Sequence, residues 1–172
     1  TVATTAASAL VGLAVDGYAE YEQLVGGVET LFNSSTELFG TAANRVLTNA
    51  NLAYKTAGLS ANAYMDTVTS FSASLLQSLE GDTQAAVDKA DMAITDMSDN
   101  ANKMGTSMES IQNAYQGFAK QNYTMLDNLK LGYGGTKEEM ERLLEDATAL
   151  SGIEYDINSY ADIVDAIHVV QT

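Results

Sequence analysis

The sequence contains no cysteine and a single histidine, His168. Disulfides, thiolate metal sites and histidine clusters are excluded, and redox chemistry says nothing about the compartment. Proline is also absent from the 172 residues, where average usage of about 5% would supply several. Helices can therefore run on without the lost N–H and ring clash that proline imposes. Charge is sparse and one-sided. Charged residues make up 18%, and 8 Lys plus Arg stand against 23 Asp plus Glu, a formal net charge of -15. Such a surface repels phosphate backbones, so direct nucleic-acid binding is not expected. Long apolar runs are missing as well. The stretch from Ala9 to Val15 stops at Asp16, short of the roughly 20 residues needed to cross a bilayer. It lacks the basic flank and cleavage pattern of a signal peptide.

What is present suits one core. Hydrophobic residues make up 46%, and a chain of this size buries roughly two-thirds of the surface its unfolded form exposes. The polar remainder is rich in Thr, Ser, Asn and Gln. The chain opens at Thr1 without a Met and closes at Thr172 directly after an apolar helix face. The expectation is a single helical module, residues 1–172, taken from a longer protein.

Apolar residues recur at gaps of three and four almost throughout, the helical period. Leu10, Leu13, Gly17, Tyr21 and Leu24 share one side of a first helix over Thr1 to Val25, which Gly26-Gly27 should interrupt before a weak continuation to Phe32. Asn33-Ser34-Ser35 offers an N-cap to a helix from about Thr36 to Thr56, with Leu38, Phe39, Ala42, Val46, Asn49 and Ala53 inward and Gly58 at its end. Ser60 caps a third helix carrying Tyr64, Met65, Val68, Phe71, Leu75 and Leu79. After Gly81-Asp82 comes a fourth, with a narrow face of Ala86, Ala90, Ala93, Met97, Ala101 and Met104, closed by Gly105. Small faces let helix axes approach closely.

Thr106 and Glu109 have the capping-box spacing and should start the next helix. Ile111, Tyr115, Phe118, Met125 and Leu129 would lie along its buried side, with Asn122 either sitting in that seam or marking a break. Gly132, Gly134 and Gly135 then form a corner, and Thr136 with Glu139 repeats the capping box. The helix that follows points Met140, Leu143, Leu144, Ala147 and Leu150 inward and Glu138, Glu141, Arg142, Glu145 and Asp146 outward, and Gly152 ends it. Ile153 to Asp156 reads as extended, and Ser159 caps a last helix with Tyr160, Ile163, Val164, Ile167 and Val170 on one face. No alternating pattern supports a sheet. The predicted fold is all-α, a compact multi-helix bundle of about seven helices joined by short glycine-containing turns.

No constellation carries chemistry, and no catalytic, cofactor-binding or metal-binding residue is predicted. Gly132-Tyr133-Gly134 lacks the flanking hydrophobic spans of a pore, and Gly135-Thr136-Lys137 has the wrong order, and no preceding strand, for a phosphate loop. Asp88, Asp91, Asp96 and Asp99 lack the spacing and central Gly of a calcium loop. They read as a solvated acidic face paired with Lys89 and Lys103. Glu138, Glu139 and Glu141 suit a helix N-terminus without chemistry. His168, flanked by Ile167 and Val169, has no Ser or Cys partner at a recognisable spacing, and packing or solvent contact is expected for it. Asn33-Ser34-Ser35 and Asn122-Tyr123-Thr124 match the N-glycosylation tripeptide, a pattern frequent by chance.

The run NAYQGFAKQNYTMLDNLKLGYGGTKEEMERLL, from Asn113 to Leu144, closely resembles a segment of the tail tape measure proteins of long-tailed phages and prophages of Gram-positive bacteria. YKTAGLSANAYMDTVTSFSASLLQSL from Tyr54 to Leu79 and ADMAITDMSDNANKMGTSM from Ala90 to Met108 resemble the same family, as do YEQLVGGVETLF and the closing AIHVVQ. The resemblance implies a very long, mostly helical virion protein packed in several copies inside the tail tube. Its length sets the tail length during assembly, and it leaves ahead of the DNA when the genome crosses the envelope. It implies synthesis in the host bacterial cytoplasm and residence in the tail lumen. The partners implied are other copies of itself, tail-tube and tail-tip proteins and tail assembly chaperones. Some relatives carry peptidoglycan-cleaving domains, which nothing in these residues resembles. No enzyme and no cofactor are expected. A pure ruler would show continuous heptads, whereas a glycine corner roughly every 20 to 25 residues favours a folded module over a rod. The alternative is a membrane-acting module in which the helices at Thr1 to Val25 and Tyr64 to Leu79 insert into the host membrane during genome delivery. An enzyme would need a convergent carboxylate pair in a cleft.

Overall fold

In the computed structural model of the chain, residues 19–32 and 41–172 are described. Among them lie seven α-helices and no strand, a multi-helix bundle as the periodicity predicts. Residues 19–32 form α1, followed by α2 (Thr41–Thr56), α3 (Ala61–Ser78), α4 (Thr83–Met104), α5 (Met108–Ala119), a 3-10 turn (Leu126–Leu129), α6 (Lys137–Ser151) and α7 (Tyr160–Gln171). Residues 1–18 of the helix expected over Thr1 to Val25, with Leu10, Leu13 and Gly17, the Asn33-Ser34-Ser35 cap and the inward Leu38 and Phe39 lie outside the described residues.

The expected caps form where a short polar side chain precedes an apolar repeat. Ser60, Asp82, Thr136 and Ser159 each accept a hydrogen bond from the backbone N–H three residues on, satisfying a donor that the helix leaves free. Gly105 ends α4 at φ 70, where a Cβ would crowd the backbone, and its N–H returns to Ala101 O. Gly58 and Gly152 also stand at positive φ beyond the helices they were expected to end.

α4 is the central post. It packs on α2, α3, α5 and α7, and its alanines at 86, 90 and 93 are almost fully buried. Small side chains there let the neighbouring axes come close. Its buried side is wider than the expected narrow stripe, because Val87 and Ile94 are buried as well, whereas Ala101 and Met104 are only half-buried. α3 contributes Tyr64, Met65, Val68, Phe71 and Leu75 as expected, and α7 contributes Tyr160, Ile163, Val164 and Ile167. Leu79 and Val170 sit half-buried at the margins. α6 lays Met140, Leu143, Leu144 and Ala147 against α7.

Several expectations need correction. Gly26-Gly27 does not interrupt the first helix, since residues 19–32 are continuous. A Cβ on Gly27 would lie 3.9 Å from Thr69 Cγ2, which sets α1 against α3 at that point. The cap of α5 is Ser107 rather than Thr106, and it accepts from Ser110 N. Of the two expectations for Asn122, the break is the one that holds, and the apolar side from Ile111 to Leu129 is not one helix. α5 ends at Ala119 in a reversed turn, with Gln121 at φ 60 and Asn122 N–H bonded to Gly117 O at 2.9 Å, the bond pattern of a Schellman motif. Beyond it Tyr123, Leu126 and Leu129 turn inward, and Met125 faces out at 39% exposure. Leu150, expected inward, is 70% exposed. Ile153 to Asp156 pairs with no strand.

Candidate functional site

The glycine corner is built from side chains that use up its polar groups. Tyr133 is buried at the bend, and its hydroxyl donates to Asp146 Oδ2 at 2.5 Å. Burial first, and then the Asp146 carboxylate, push its phenol up to about 12. Arg142 lies 4.3 Å over the Tyr133 ring, a cation–π contact. It also donates to Glu139 Oε2 at 2.6 Å and to Gly132 O at 2.7 Å. The Arg142 hydrogen bond, helped by the Gly134 N–H, holds the Glu139 carboxyl below its usual range. Gly134 donates its N–H to Glu139 Oε1 at 3.2 Å, so it is not offered to a phosphate. Gly135 is required for closeness, since a Cβ there would fall 2.2 Å from Thr124 O. The corner is a packing device, and Glu139 and Arg142 are its struts.

The acidic row on α4 forms only part of the solvated face expected of it, since Asp88 and Asp99 are exposed but Asp91 is half-buried and Asp96 buried. Asp88 pairs with Arg45 of α2, and Asp91 accepts the Tyr64 hydroxyl from α3. Asp99 is exposed. Lys89 pairs with Asp165 of α7 at 2.6 Å and not with the row itself. Asp96 is 4% exposed, and both its oxygens face His168 Nδ1, at 3.0 and 2.9 Å. Burial pushes the Asp96 carboxyl up, against the downward pull of His168. His168 therefore has a specific partner, which the sequence did not reveal. The available signal was position: Asp96 follows Ala93 by three residues and precedes Asn100 by four, on a side where all three are buried.

Two open grooves flank this framework. One, between α6, α7 and the segment joining them, has a volume of about 760 Å³ and is walled by Glu141, Glu145, Glu154, Asp156 and Asp162 with no basic residue among its lining. The other, also of about 760 Å³, lies where α4, the 3-10 turn and α7 end, and Asp96, Asp99, Asn100 and Gln171 border it. Among the described residues no group of three or more His, Cys, Asp or Glu could hold a metal ion. Asn122 of the second glycosylation tripeptide is exposed, and its Oδ1 accepts from Thr124 N and Oγ1. The tripeptide thus works as a local turn. No family model, curated protein or solved structure matches this chain.

Proposed function

We propose that this chain is a folded structural module of a phage tail tape measure protein, serving tail assembly, length determination and genome ejection by helix packing. The run from Asn113 to Leu144 carries the reading, through its resemblance to that family. In this reading the partners are other copies of the chain, tail-tube and tail-tip proteins and assembly chaperones. The module is made in the host cytoplasm, resides in the tail lumen and works without a cofactor. Short helices that end at positive-φ residues and share one core support a compact module over a continuous ruler.

The test is in-frame removal of the segment from its parent gene, followed by electron microscopy of tails and an infectivity assay. As a continuous helix, 172 residues would span roughly 250 Å at 1.5 Å per residue, and the tail would shorten by that much. A compact module should shorten it by no more than its own breadth, on the order of 30 to 40 Å, the length of a helix like α4 with 22 residues. Infectivity should fall in either case. Tails of unchanged length with normal infectivity would refute any role in assembly or ejection.

Helix packing is preferred to membrane insertion because the apolar face of α3, from Tyr64 to Leu75, is already buried in the core, while its other side carries Asp66, Thr69, Ser70 and Gln77. Among the described residues no helix is long and apolar enough to cross a membrane. Leakage of liposomes caused by this module at any pH would favour insertion instead.

A further inference from the structure

The groove between α6, α7 and the segment joining them has charged walls and an apolar floor. Glu141, Leu144, Glu145 and Thr148 border it from one side of α6, at the spacing of successive helical turns. Leu144 is buried at 5% exposure, and Tyr155 and Ile157 from the joining segment are half-buried. Two of the five carboxylates in the lining hold the turn into α7: Asp162 Oδ2 accepts the Asp156 N–H at 2.9 Å, and Asp156 Oδ1 accepts the Asn158 N–H at 2.9 Å. The other three, Glu141, Glu145 and Glu154, are exposed, and their carboxylates form no ion pair or hydrogen bond with any described residue. Lys137 lies one turn before Glu141 and pairs with none of them, and Arg142 is held at the glycine corner by Glu139 and Gly132 O. Like charges four residues apart disfavour a helix. Glu141 and Glu145 therefore burden α6 in a way that an external cation would relieve.

We infer that this groove is a docking surface for a basic amphipathic helix of a partner protein. Lysines or arginines one turn apart on the partner meet Glu141 and Glu145, a third reaches Glu154, and an apolar side chain among them rests on Leu144, Tyr155 and Ile157. Charge complementarity selects this occupant. A second copy of the chain, at net charge -15, is repelled, as are nucleic acids and anionic lipid surfaces. A metal ion needs carboxylates that converge, and no group of three or more among the described residues could hold one. The α6 wall from Glu141 to Thr148 is roughly 10 Å long at 1.5 Å per residue, which matches about two turns of a docked helix. Nothing in the groove depends on which assembly the parent protein joins.

The test uses the whole chain at about 0.15 M ionic strength, where distant charges are screened. The probe is a fluorescein-labelled peptide of about 14 residues, made of Lys, Leu and Ala with its lysines and leucines on one helical face. Fluorescence anisotropy should show saturable binding, and amide resonance shifts should concentrate at residues 141–148 and 154–157. A shuffled peptide of the same composition should bind about tenfold more weakly. Glu141→Gln with Glu145→Gln should weaken the amphipathic peptide by about tenfold. Glu109→Gln with Asp127→Asn removes two charges at exposed positions outside the groove and should change binding by less than about twofold. Ile157→Ala should weaken the peptide by about threefold and leave spermidine binding unchanged. Circular dichroism of each variant confirms that it folds. No saturable binding, equal binding of the shuffled peptide, or equal effects of the two charge-removing pairs would overturn the proposal. So would spermidine displacing the peptide at equal concentration, which assigns the groove to polyamines, or a dimer in sedimentation that Ile157→Ala dissolves, which assigns it to a second copy.

Discussion

His168→Ala removes the only imidazole of the chain and leaves Asp96 buried beside α7 with neither of its two contacts to the ring. In the native protein burial raises the Asp96 carboxyl and His168 opposes the rise, while the neighbouring Asp99 adds to it. Stripping one partner from a fully buried pair costs about 3–5 kcal/mol. The His168 side chain is 39% exposed, so water reaches the pair, and the expected loss at neutral pH is about 1–3 kcal/mol. The sign of the pH dependence follows from the direction of the shift. The folded-state pKa of Asp96 lies above the ordinary value of an aspartate, so the folded state holds this proton more tightly than the unfolded chain. Its contribution is therefore present at low pH and lost as pH rises through the folded pKa. Without His168 the upward shift grows, so the deficit of the variant against the wild type should shrink as pH falls from about 7 towards about 4. Adding Asp96→Asn to His168→Ala removes the unpaired charge and should restore much of the lost stability. Urea unfolding followed by circular dichroism, extrapolated linearly at both pH values, measures each difference. A loss below about 0.3 kcal/mol at neutral pH, or an equal loss at both values, would refute the reasoning.

The corner gives two more predictions. Gly135→Ala places a Cβ 2.2 Å from Thr124 O and 2.9 Å from its carbonyl carbon, a clash with backbone that should cost at least about 2 kcal/mol in thermal or urea unfolding. Gly134→Ala meets only the Glu139 side chain, at Cγ and Oε1, both 3.6 Å away, and should change stability by no more than about 0.5 kcal/mol. In a spectrophotometric pH titration, Tyr133 should ionise near pH 12, and Tyr133→Phe should remove that transition and cost about 1 kcal/mol through the lost bond to Asp146.

The helix starts and the inward faces were legible wherever a short polar cap and a steady period coincide, as at Ser60, Asp82, Thr136 and Ser159. The end of α5 was legible only as an open choice at Asn122, between a break and a polar residue in a continuous seam. Its reversed residue is Gln121, and glutamine gives none of the local signal that Gly105 or Gly152 gives. Thr106 and Ser107 are adjacent and both able to cap, and only the burial of Ile111, Ala114, Tyr115 and Phe118 selects the second. Spacing also does not say how far a neighbouring helix reaches, which is why Leu150 continued the inward series on paper and stands in solvent in the fold. The pairing of Asp96 with His168 spans 72 residues of chain. The inward position of Asp96 can be read from its spacing to Ala93 and Asn100, but nothing local names His168 as its partner.

α7 comes last among these helices yet touches α3, α4, α5 and α6. Its ties reach far back: Lys89 to Asp165, Asp96 to His168 and to Gln171, and the Tyr160 hydroxyl to Tyr115 O at 2.9 Å. During synthesis at about 5–20 residues per second, α4 emerges on the order of ten seconds before α7 can reach it. Through that interval the sides of α3 and α4 that α7 will cover face solvent, with Asp96 lacking its imidazole. Until α7 forms, that flank is adhesive, and Tyr160–Gln171 is the segment that covers it.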